Sequence, residues 1–281
     1  MRKLSDREKK ELRFQTIIEI IMVLLLILAF VPIFLMVVMS FKSTWEVFNN
    51  FFGLPRHVEW DNYAGAFAYL SGNMWNTLLM VAVAVVLTLV LSALGGYAFA
   101  TKTFPGKNLL FALIMAVMMI PGVLSLAANY TLIIEYGLLN SRWAVIFSWI
   151  TGGQVLGIIL CRNSIEALPA DLFEAARIEG CGELRLLCSI TVPLIKPILS
   201  TIAVLKVVDY YNDFIWPMMV IESNSKQVVT VVLKVFTSSQ DVSNIGIMFA
   251  GYVIATIPLL ILFLFTSRLY MEGLTAGAVK G

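Results

Sequence analysis

Long apolar runs limit what this chain can fold into more than any other feature does. A membrane-spanning helix needs about 20 mainly apolar residues, and six stretches meet that requirement: 17–39, 76–100, 109–134, 143–161, 197–221 and 245–266. The mean hydropathy is +0.88 and only 14% of the residues are charged, whereas a soluble domain carries about 25% charged residues. We therefore predict an all-α polytopic membrane protein with six transmembrane helices.

The distribution of Lys and Arg predicts the orientation of these helices. With the N-terminus inside, 14 of the 20 basic residues lie in inner segments and 5 in outer segments, while Lys206 lies within a span. Cytoplasmic segments carry such an excess of Lys and Arg. We therefore predict a cytoplasmic tail over 1–16, a six-helix transmembrane domain over 17–268 and a second cytoplasmic tail over 269–281. The run 17–39 is too long for a cleaved signal peptide and is expected to be retained.

Signals for catalysis and metal binding are missing from the sequence. The cysteines Cys161, Cys181 and Cys188 form no CxxC pair and His57 is the only histidine, so a zinc site with about four N or S ligands is not expected. We expect the cysteines to be buried thiols. The segment TKTFPGKN, at 101–108, lacks the first Gly and the final Ser or Thr of a phosphate-binding loop. We therefore predict no catalytic residue, metal site or cofactor in this chain.

The longest predicted inner segment, 162–196, interrupts the apolar pattern with charges and glycines. Pro169 suits the start of a helix, and Gly180 suits its end because glycine accepts a left-handed conformation. A second short helix is expected at about 183–189, ending before Pro193. The segment is therefore predicted to form two short helices with a glycine elbow between them.

The first of these helices is predicted to present a smooth face at Ala175 and Ala176. Two interpretations are open on spacing alone. The helices lie on the membrane surface, as many amphipathic helices do, or the small side chains let another protein approach closely.

The sequence EAARIEGCGELRLLCSITVPLIKP, from residue 174 to 197, resembles the EAA signature of ABC-importer permeases. The matching residues are Glu174, Ala175, Ala176, Gly180, Ile190 and Pro193. The segments YNDFIWPMMVI and GLTAGAVKG are similar to the carbohydrate-uptake branch of that family, close to maltose-type permeases. The resemblance covers the chain from about residue 60 to its end, and it implies the MetI-like transmembrane fold of type I ABC importers.

The resemblance implies a role for the inner segment and a set of partners. Glu174, Ala175, Ala176, Gly180 and Pro193 would couple the chain to a separate cytoplasmic ATPase, with Glu174 as the polar anchor and Gly180 as the elbow. The implied partners are a second homologous permease, two copies of an ATPase that binds ATP and Mg, and an extracytoplasmic sugar-binding protein. No nucleic acid is expected. The implied function is import of a sugar or oligosaccharide by alternating access, in the cell membrane of a bacterium or archaeon.

The resemblance gives two further segments a role. The outer loop 222–244 contains QVVTVVLKVF, which is too short to span lipid. It is expected either to pack on the protein or to enter the cleft of the binding protein. The C-terminal segment EGLTAGAVKG resembles the family tail that contacts the ATPase pair.

A polar patch interrupts the fifth apolar run. Lys206, Asp209 and Asp213 are spaced by three and four residues, which predicts one stripe along a helix with Trp216 continuing it. Tyr210 and Asn212 flank this stripe. Ionisable groups at membrane depth usually face protein or water. The patch is therefore either an internal ion pair that fixes helix packing, or a wall of the translocation path. In the second case Trp216 would stack on a sugar ring, and Asp213 or Asn212 would accept hydrogen bonds from hydroxyl groups.

Other functions are compatible with parts of this pattern. An ABC permease for another small solute, such as a polyamine or amino acid, would carry the same EAA signature. An ion-coupled secondary transporter would use Lys206, Asp209 and Asp213 as a proton relay. A membrane-embedded enzyme has no supporting nucleophile–base pair or metal cluster.

Overall fold

The structure is a computed structural model that describes the backbone of residues 6–238 and 244–278. Within these ranges the chain is built from helices and contains no strand. The helices are α1 (Asp6–Ser40), α2 (Thr44–Asn49), α3 (Asp61–Thr101), α4 (Lys107–Met118), α5 (Gly122–Glu135), α6 (Arg142–Glu166), α7 (Ala170–Ile178), α8 (Glu183–Leu194), α9 (Lys196–Asn212), α10 (Ile215–Val220), α11 (Val229–Ser238) and α12 (Ile245–Ala278).

Four of the predicted spans correspond to continuous helices and the third to a bent pair. Among the described residues, four segments are long and apolar enough to cross a membrane alone: Phe14–Ser40, Asp61–Thr101, Arg142–Glu166 and Ile245–Thr266. The pair α4 and α5 is bent by 102°, and the pair α8 and α9 by 77°. If each bent pair is one span, the count rises to six. The fifth run, 197–221, was predicted as one helix, but it is divided between α9 and α10.

Proline explains the bend in the third predicted span. Pro121 stands between α4 and α5 with φ −58° and ψ 125°, outside the helical region. It has no N–H to continue the helix, its ring clashes with the carbonyl four residues back, and it disfavours the helical conformation of the preceding residue. The backbone N–H of Leu124 then bonds to the carbonyl of Pro121 at 3.0 Å, which starts the new helix. By contrast, α1 continues through Pro32.

The chain divides into two compact units, 1–69 with 236–254 and 70–235 with 255–281. In the first unit, the ammonium group of the buried Lys42 holds the segment after α2 in place. Its Nζ donates to the carbonyl oxygens of Asn50 at 2.5 Å, Phe51 at 3.3 Å and Gly53 at 2.6 Å. A single buried cation therefore acts as hydrogen-bond donor to three backbone carbonyl groups, which lie after the end of α2 and have no helical N–H as a partner.

In the second unit, small residues bring α3 and α6 into close contact. A Cβ atom added to Gly157 would lie 2.0 Å from the Oγ atom of Ser92, and one added to Gly96 would lie 2.4 Å from the Cβ of Cys161. Such glycine contacts allow the backbones of membrane helices to approach closely. Gly153, one turn before Gly157, makes room for the hydroxyl of Tyr210 on α9 in the same way. Helix α6 is thus held tightly between α3 and α9.

The segment QVVTVVLKVF, residues 227–236, packs inside the second unit up to Val235, where that part of the unit ends. Val228, Val229, Val231 and Val232 are buried, and the amide of Asn73 on α3 donates to the carbonyls of Asn224 at 2.7 Å and Gln227 at 3.0 Å. This agrees with the expectation that the run packs on the protein. Residues 239–243 of the same loop lie outside the described residues.

Candidate coupling loop and polar cluster

The loop after α6 contains the helix and the glycine elbow that the sequence predicts. Helix α7 begins at Ala170, directly after Pro169, and ends at Ile178. Gly180 has φ +79°, a left-handed conformation. The N–H of Cys181 bonds to the carbonyl of Ala176, and that of Gly180 to the carbonyl of Arg177, both at 3.0 Å. These two bonds form a Schellman motif, which explains why the helix stops here.

The second helix of the loop extends further than predicted. Helix α8 does not end before Pro193 but continues through it to Leu194. Between Leu186 and Thr191 it widens into a π-helical turn, and the N–H of Val192 bonds to the carbonyl of Leu187 five residues back. Pro193 then occupies the first turn of the next α-helical segment, where it needs no N–H.

A hydrophobic core attaches the loop to the ends of three long helices. Its buried members are Tyr97 of α3, Cys161 and Ile165 of α6, Phe173 and Ala176 of α7, Leu186 and Leu187 of α8, Ile195 just before α9, and Ile202 of α9. The burial of Ala176 corrects the prediction of a smooth outer face shared with Ala175, because adjacent positions on a helix point about 100° apart. Ala175 is exposed and Ala176 faces the core. Likewise, Cys161 is buried as expected, whereas Cys181 is half-buried and Cys188 is exposed.

The loop also carries exposed apolar side chains and an exposed carboxylate. Ile178 is 87% exposed and Leu184 is 75% exposed, one on each side of Gly180. Glu174 and Ala175 are also exposed on α7. We call Glu174, Ala175, Ile178 and Leu184 the docking face. A contiguous exposed apolar patch outside the membrane marks an interaction site, and Ile178 and Leu184 make this face a candidate for one. Sequence reasoning overlooked Ile178 and Leu184, although their place beside the elbow was visible.

One carboxylate in the loop has partners on two other helices. The Oε2 atom of Glu183 accepts a hydrogen bond of 2.5 Å from the hydroxyl of Tyr97, and its Oε1 atom pairs with Nζ of Lys102 and with Nε of Arg177 at 3.7 Å. The hydrogen bonds from Lys102 and Tyr97 lower the pKa of Glu183. The sequence indicated Glu183 only as the start of a helix, because no linear spacing connects it to Tyr97.

The predicted ion pair in the polar patch is present, but the stripe is shorter than predicted. The Nζ atom of Lys206 lies 2.8 Å from Oδ2 of Asp209. Helix α9 ends at Asn212, and Asp213 is extended, with φ −66° and ψ 126°. Asp213 and Trp216 therefore do not continue the stripe on the same helix.

Pro217 explains this early end of α9. In a continuous helix its ring would clash with the carbonyl of Asp213, and it has no N–H to offer that carbonyl. The hydroxyl of Thr230 on α11 donates to the Asp213 carbonyl instead, at 2.8 Å. The chain then restarts as α10 at Ile215.

The aromatic groups of the patch are buried against α6. Trp216 is 5% exposed and its indole N–H donates to the carbonyl of Ala144 at 3.2 Å. Tyr210 is also buried, and its hydroxyl donates to the carbonyl of Trp149 at 2.7 Å. Burial removes the flat face that Trp216 was predicted to offer to a sugar. The hypothesis that Trp216 stacks on a sugar ring is therefore not supported by this conformation.

The polar cluster has a further member that sequence reasoning missed. The indole N–H of Trp149 donates to Oδ2 of Asp213 at 2.7 Å, and the ring of Trp149 is stacked on that of Tyr210 with centroids 5.2 Å apart. Asp213 is therefore occupied by a protein donor. Asp209 and Asn212, which lie one turn apart near the end of α9, have exposed side chains. Asp209 is paired with Lys206, and the Asn212 amide donates to the carbonyl of Val208 at 2.8 Å, but both remain exposed to a ligand.

Residues 6–238 and 244–278 present no cluster of metal ligands among their described side chains, which include no group of three or more His, Cys, Asp and Glu residues that could hold a metal ion.

Comparison with known proteins gives the class of this chain. The family described as binding-protein-dependent transport system inner membrane component matches residues 92–271. The chain therefore belongs to this family of ABC-importer permeases and is an integral membrane protein. The resemblance to the ABC-importer permease family is thereby confirmed.

Individual relatives extend the match over most of the chain. An arabinooligosaccharides transport system permease protein, AraQ of Halalkalibacterium halodurans, is 32% identical over 261 residues, covering 90% of this chain and 92% of the relative. A diacetylchitobiose uptake system permease protein, NgcG of Streptomyces coelicolor, is 27% identical over 280 residues, covering 98% and 91%.

A solved structure confirms the predicted fold class. A chain of a bacterial ABC transporter involved in the import of the acidic polysaccharide alginate matches with a TM-score of 0.82 and 22% identity, covering 95% of this chain and 99% of that chain. The predicted all-α transmembrane fold of an ABC importer is therefore confirmed.

Proposed function

We propose that this chain is one permease subunit of an ATP-driven importer for a sugar or oligosaccharide. The observation that carries the proposal is the docking face, which lies on a loop whose inner side is packed into one core with α3, α6 and α9. A protein that pushes on Glu174, Ala175, Ile178 and Leu184 would therefore move three long helices together. Two copies of an ATPase, which would hold ATP and Mg, fit this role, with Gly180 and Pro193 shaping the loop.

The substrate class and the other partners are supported by the relatives. The names of the two permease relatives refer to oligosaccharide uptake, and the family is described as dependent on binding proteins. A second homologous permease and an extracytoplasmic binding protein complete the proposed importer. On the excess of Lys and Arg in inner segments, we propose that both termini and the loop 162–196 are cytoplasmic, in a bacterial or archaeal cell membrane.

The translocation path is proposed to run beside Asp209 and Asn212. Both side chains are exposed polar groups in a helix that is otherwise mainly apolar, and such groups usually mark a path through the membrane. Asn212→Ala is expected to raise the KM of uptake about tenfold, since a lost hydrogen bond to a ligand is worth about 1.4 kcal/mol. The matched control is Val208→Ala, an exposed apolar position on the same helix. An unchanged KM in Asn212→Ala would remove this residue from the path.

The ATPase partnership is tested by purifying the chain from its native membrane in mild detergent and identifying the proteins that accompany it. A P-loop ATPase and a second six-span permease are expected. In Glu174→Lys, the recovered ATPase should fall about tenfold, the equivalent of about 1.4 kcal/mol. Glu135→Lys, at an exposed position at the end of α5, is the control for charge reversal. A chain that purifies alone and stable would contradict the proposal.

The proposed orientation is tested by labelling Cys188. This thiol is exposed on α8, so a membrane-impermeant maleimide should label it in inside-out vesicles and not in intact cells. The variant Cys188→Ser measures the background labelling at Cys181, which is half-buried. Labelling in intact cells would reverse the proposed orientation.

A further inference from the structure

The carboxylate of Glu183 joins three helices at one point. It lies on α8, and it contacts Tyr97 and Lys102 at the end of α3 and Arg177 on α7. Arg177 precedes the elbow at Gly180 and Glu183 follows it. The same carboxylate therefore closes the elbow on itself and ties it to α3.

These contacts differ in kind from the other contacts of the loop. The core beneath α7 and α8 is apolar, and apolar contact is non-directional. Charge-assisted hydrogen bonds are shorter, stronger and directional. The 2.5 Å bond from the Tyr97 hydroxyl and the ion pair with Lys102 therefore fix the position of the loop along the axis of α3, which the core alone does not do.

The exposure of these charged groups indicates that they position the loop and contribute little to the stability of the fold. The side chains of Lys102 and Glu183 are 37% and 49% exposed, and exposed ion pairs contribute little to stability. The ring of Tyr97 is buried in the core whether or not its hydroxyl has a partner. Removing the carboxylate charge should therefore leave the fold intact and release the loop from α3.

We propose that Glu183 is a positioning residue that transmits movement of the docking face to α3, through Tyr97 and Lys102. This inference rests on the proposed function, in which an ATPase pushes on the docking face. Glu183 is bonded to Tyr97 and Lys102 and is not one of the residues of the docking face, so its removal should affect the transmission of movement and not the binding of the ATPase.

The experiment uses the assembled importer in proteoliposomes, with ATP hydrolysis and substrate uptake measured on the same preparation. In Glu183→Gln we expect the normal amount of co-purified ATPase, and uptake per ATP hydrolysed reduced about 5- to 20-fold, within the usual range of coupling between sites. Tyr97→Phe should reduce the ratio by a smaller factor, because the Lys102 pair remains. The exchange Glu183→Lys with Lys102→Glu should restore part of the ratio, since it rebuilds the ion pair with opposite signs.

Glu166→Gln is the matched control. Its carboxylate also forms an ion pair, at 2.9 Å, but with Arg162 in the same helix, so the ratio should not change. Normal coupling in both Glu183→Gln and Tyr97→Phe would overturn the inference, and so would loss of the ATPase from Glu183→Gln, which would make Glu183 part of the docking face. Should Glu183→Gln fail to insert, Tyr97→Phe and the charge exchange decide the question. Absence of an ATPase from the wild-type preparation would instead refute the proposed function.

Discussion

A methyl group added at Gly157 tests whether the close contact between α3 and α6 holds the second unit together. The new Cβ would lie 2.0 Å from Oγ and 2.7 Å from Cβ of Ser92. Rotation of Ser92 can move its Oγ atom but not its Cβ, so the helices themselves must separate. Overpacking of this kind costs about 1–3 kcal/mol, against which the helix propensity gained from Gly to Ala returns up to about 1 kcal/mol. Gly157→Ala is therefore expected to destabilise the protein by about 1–2 kcal/mol.

The chain offers a matched control in the same helix. A Cβ added to Gly152 would meet no atom within 4 Å, so Gly152→Ala should keep or raise the stability. The assay is the thermal unfolding midpoint in mild detergent, where 1 kcal/mol corresponds to about 2–4 °C for a chain of this size. Gly157→Ala should lower the midpoint by a few degrees, and Gly152→Ala should not lower it.

A second substitution identifies the atoms responsible. Ser92→Gly removes both atoms that the new methyl group would meet, so the double variant with Gly157→Ala should recover most of the loss. Ser92→Ala removes only Oγ and should recover less. Among the described residues the Ser92 hydroxyl has no hydrogen-bond partner, so its removal costs no bond. A Gly157→Ala variant as stable as Gly152→Ala would refute the close contact.

Three further predictions concern charged side chains. Because the folded-state pKa of Glu183 is lowered, its contribution to stability, which is small for a half-exposed ion pair, should be complete above its ordinary value of 4.5 and be lost as the pH falls through the lowered pKa; the small difference between the unfolding midpoints of the wild type and Glu183→Gln should disappear in acid, and a difference that persists there would contradict this. Lys42→Met removes the buried ammonium donor to three backbone carbonyls and should cost about 1.5–3 kcal/mol in thermal unfolding, whereas an unchanged midpoint would show that water replaces the ammonium group. Asp213→Ala removes the partner of the Trp149 indole and should alter uptake while the importer still assembles; unchanged uptake kinetics would exclude a role for this bond in transport.

The sequence predicted those features that depend on residues close together in the chain. Apolar runs of sufficient length identified the helices, and the Gly180 stop followed from the conformation that glycine accepts. The sequence did not predict which prolines interrupt a helix. That outcome depends on whether the carbonyl four residues before the proline, which loses its helical N–H partner, finds another donor. Helix α1 passes through Pro32, but at Pro217 the carbonyl of Asp213 is bonded by Thr230, a contact with a different helix.

The candidate sites were predicted least well where a role depends on a partner far along the chain. Glu183 and Tyr97 are separated by 86 positions, so no local pattern indicates that they touch. The same limit applies to Ala176, whose burial depends on residues from α3, α6 and α9. Residue type alone suggested a smooth surface, and the packing of other helices decided which alanine remained exposed.

In the polar patch on α9, hydrogen-bond acceptors from α6 determine which side chains are buried and which can contact a ligand. At membrane depth an aromatic N–H or O–H is buried only where it finds an acceptor, and α6 supplies the carbonyls of Ala144 and Trp149 to Trp216 and Tyr210. Those two rings thereby become part of the contact between helices and are not available to a ligand. Asp209 is paired with Lys206 and the Asn212 amide donates to the carbonyl of Val208, but both side chains remain exposed. The aromatic residues that the sequence suggested for sugar binding, Trp216 and Tyr210, therefore serve packing between helices. The candidate substrate contacts are the two smaller polar side chains at the end of α9, Asp209 and Asn212.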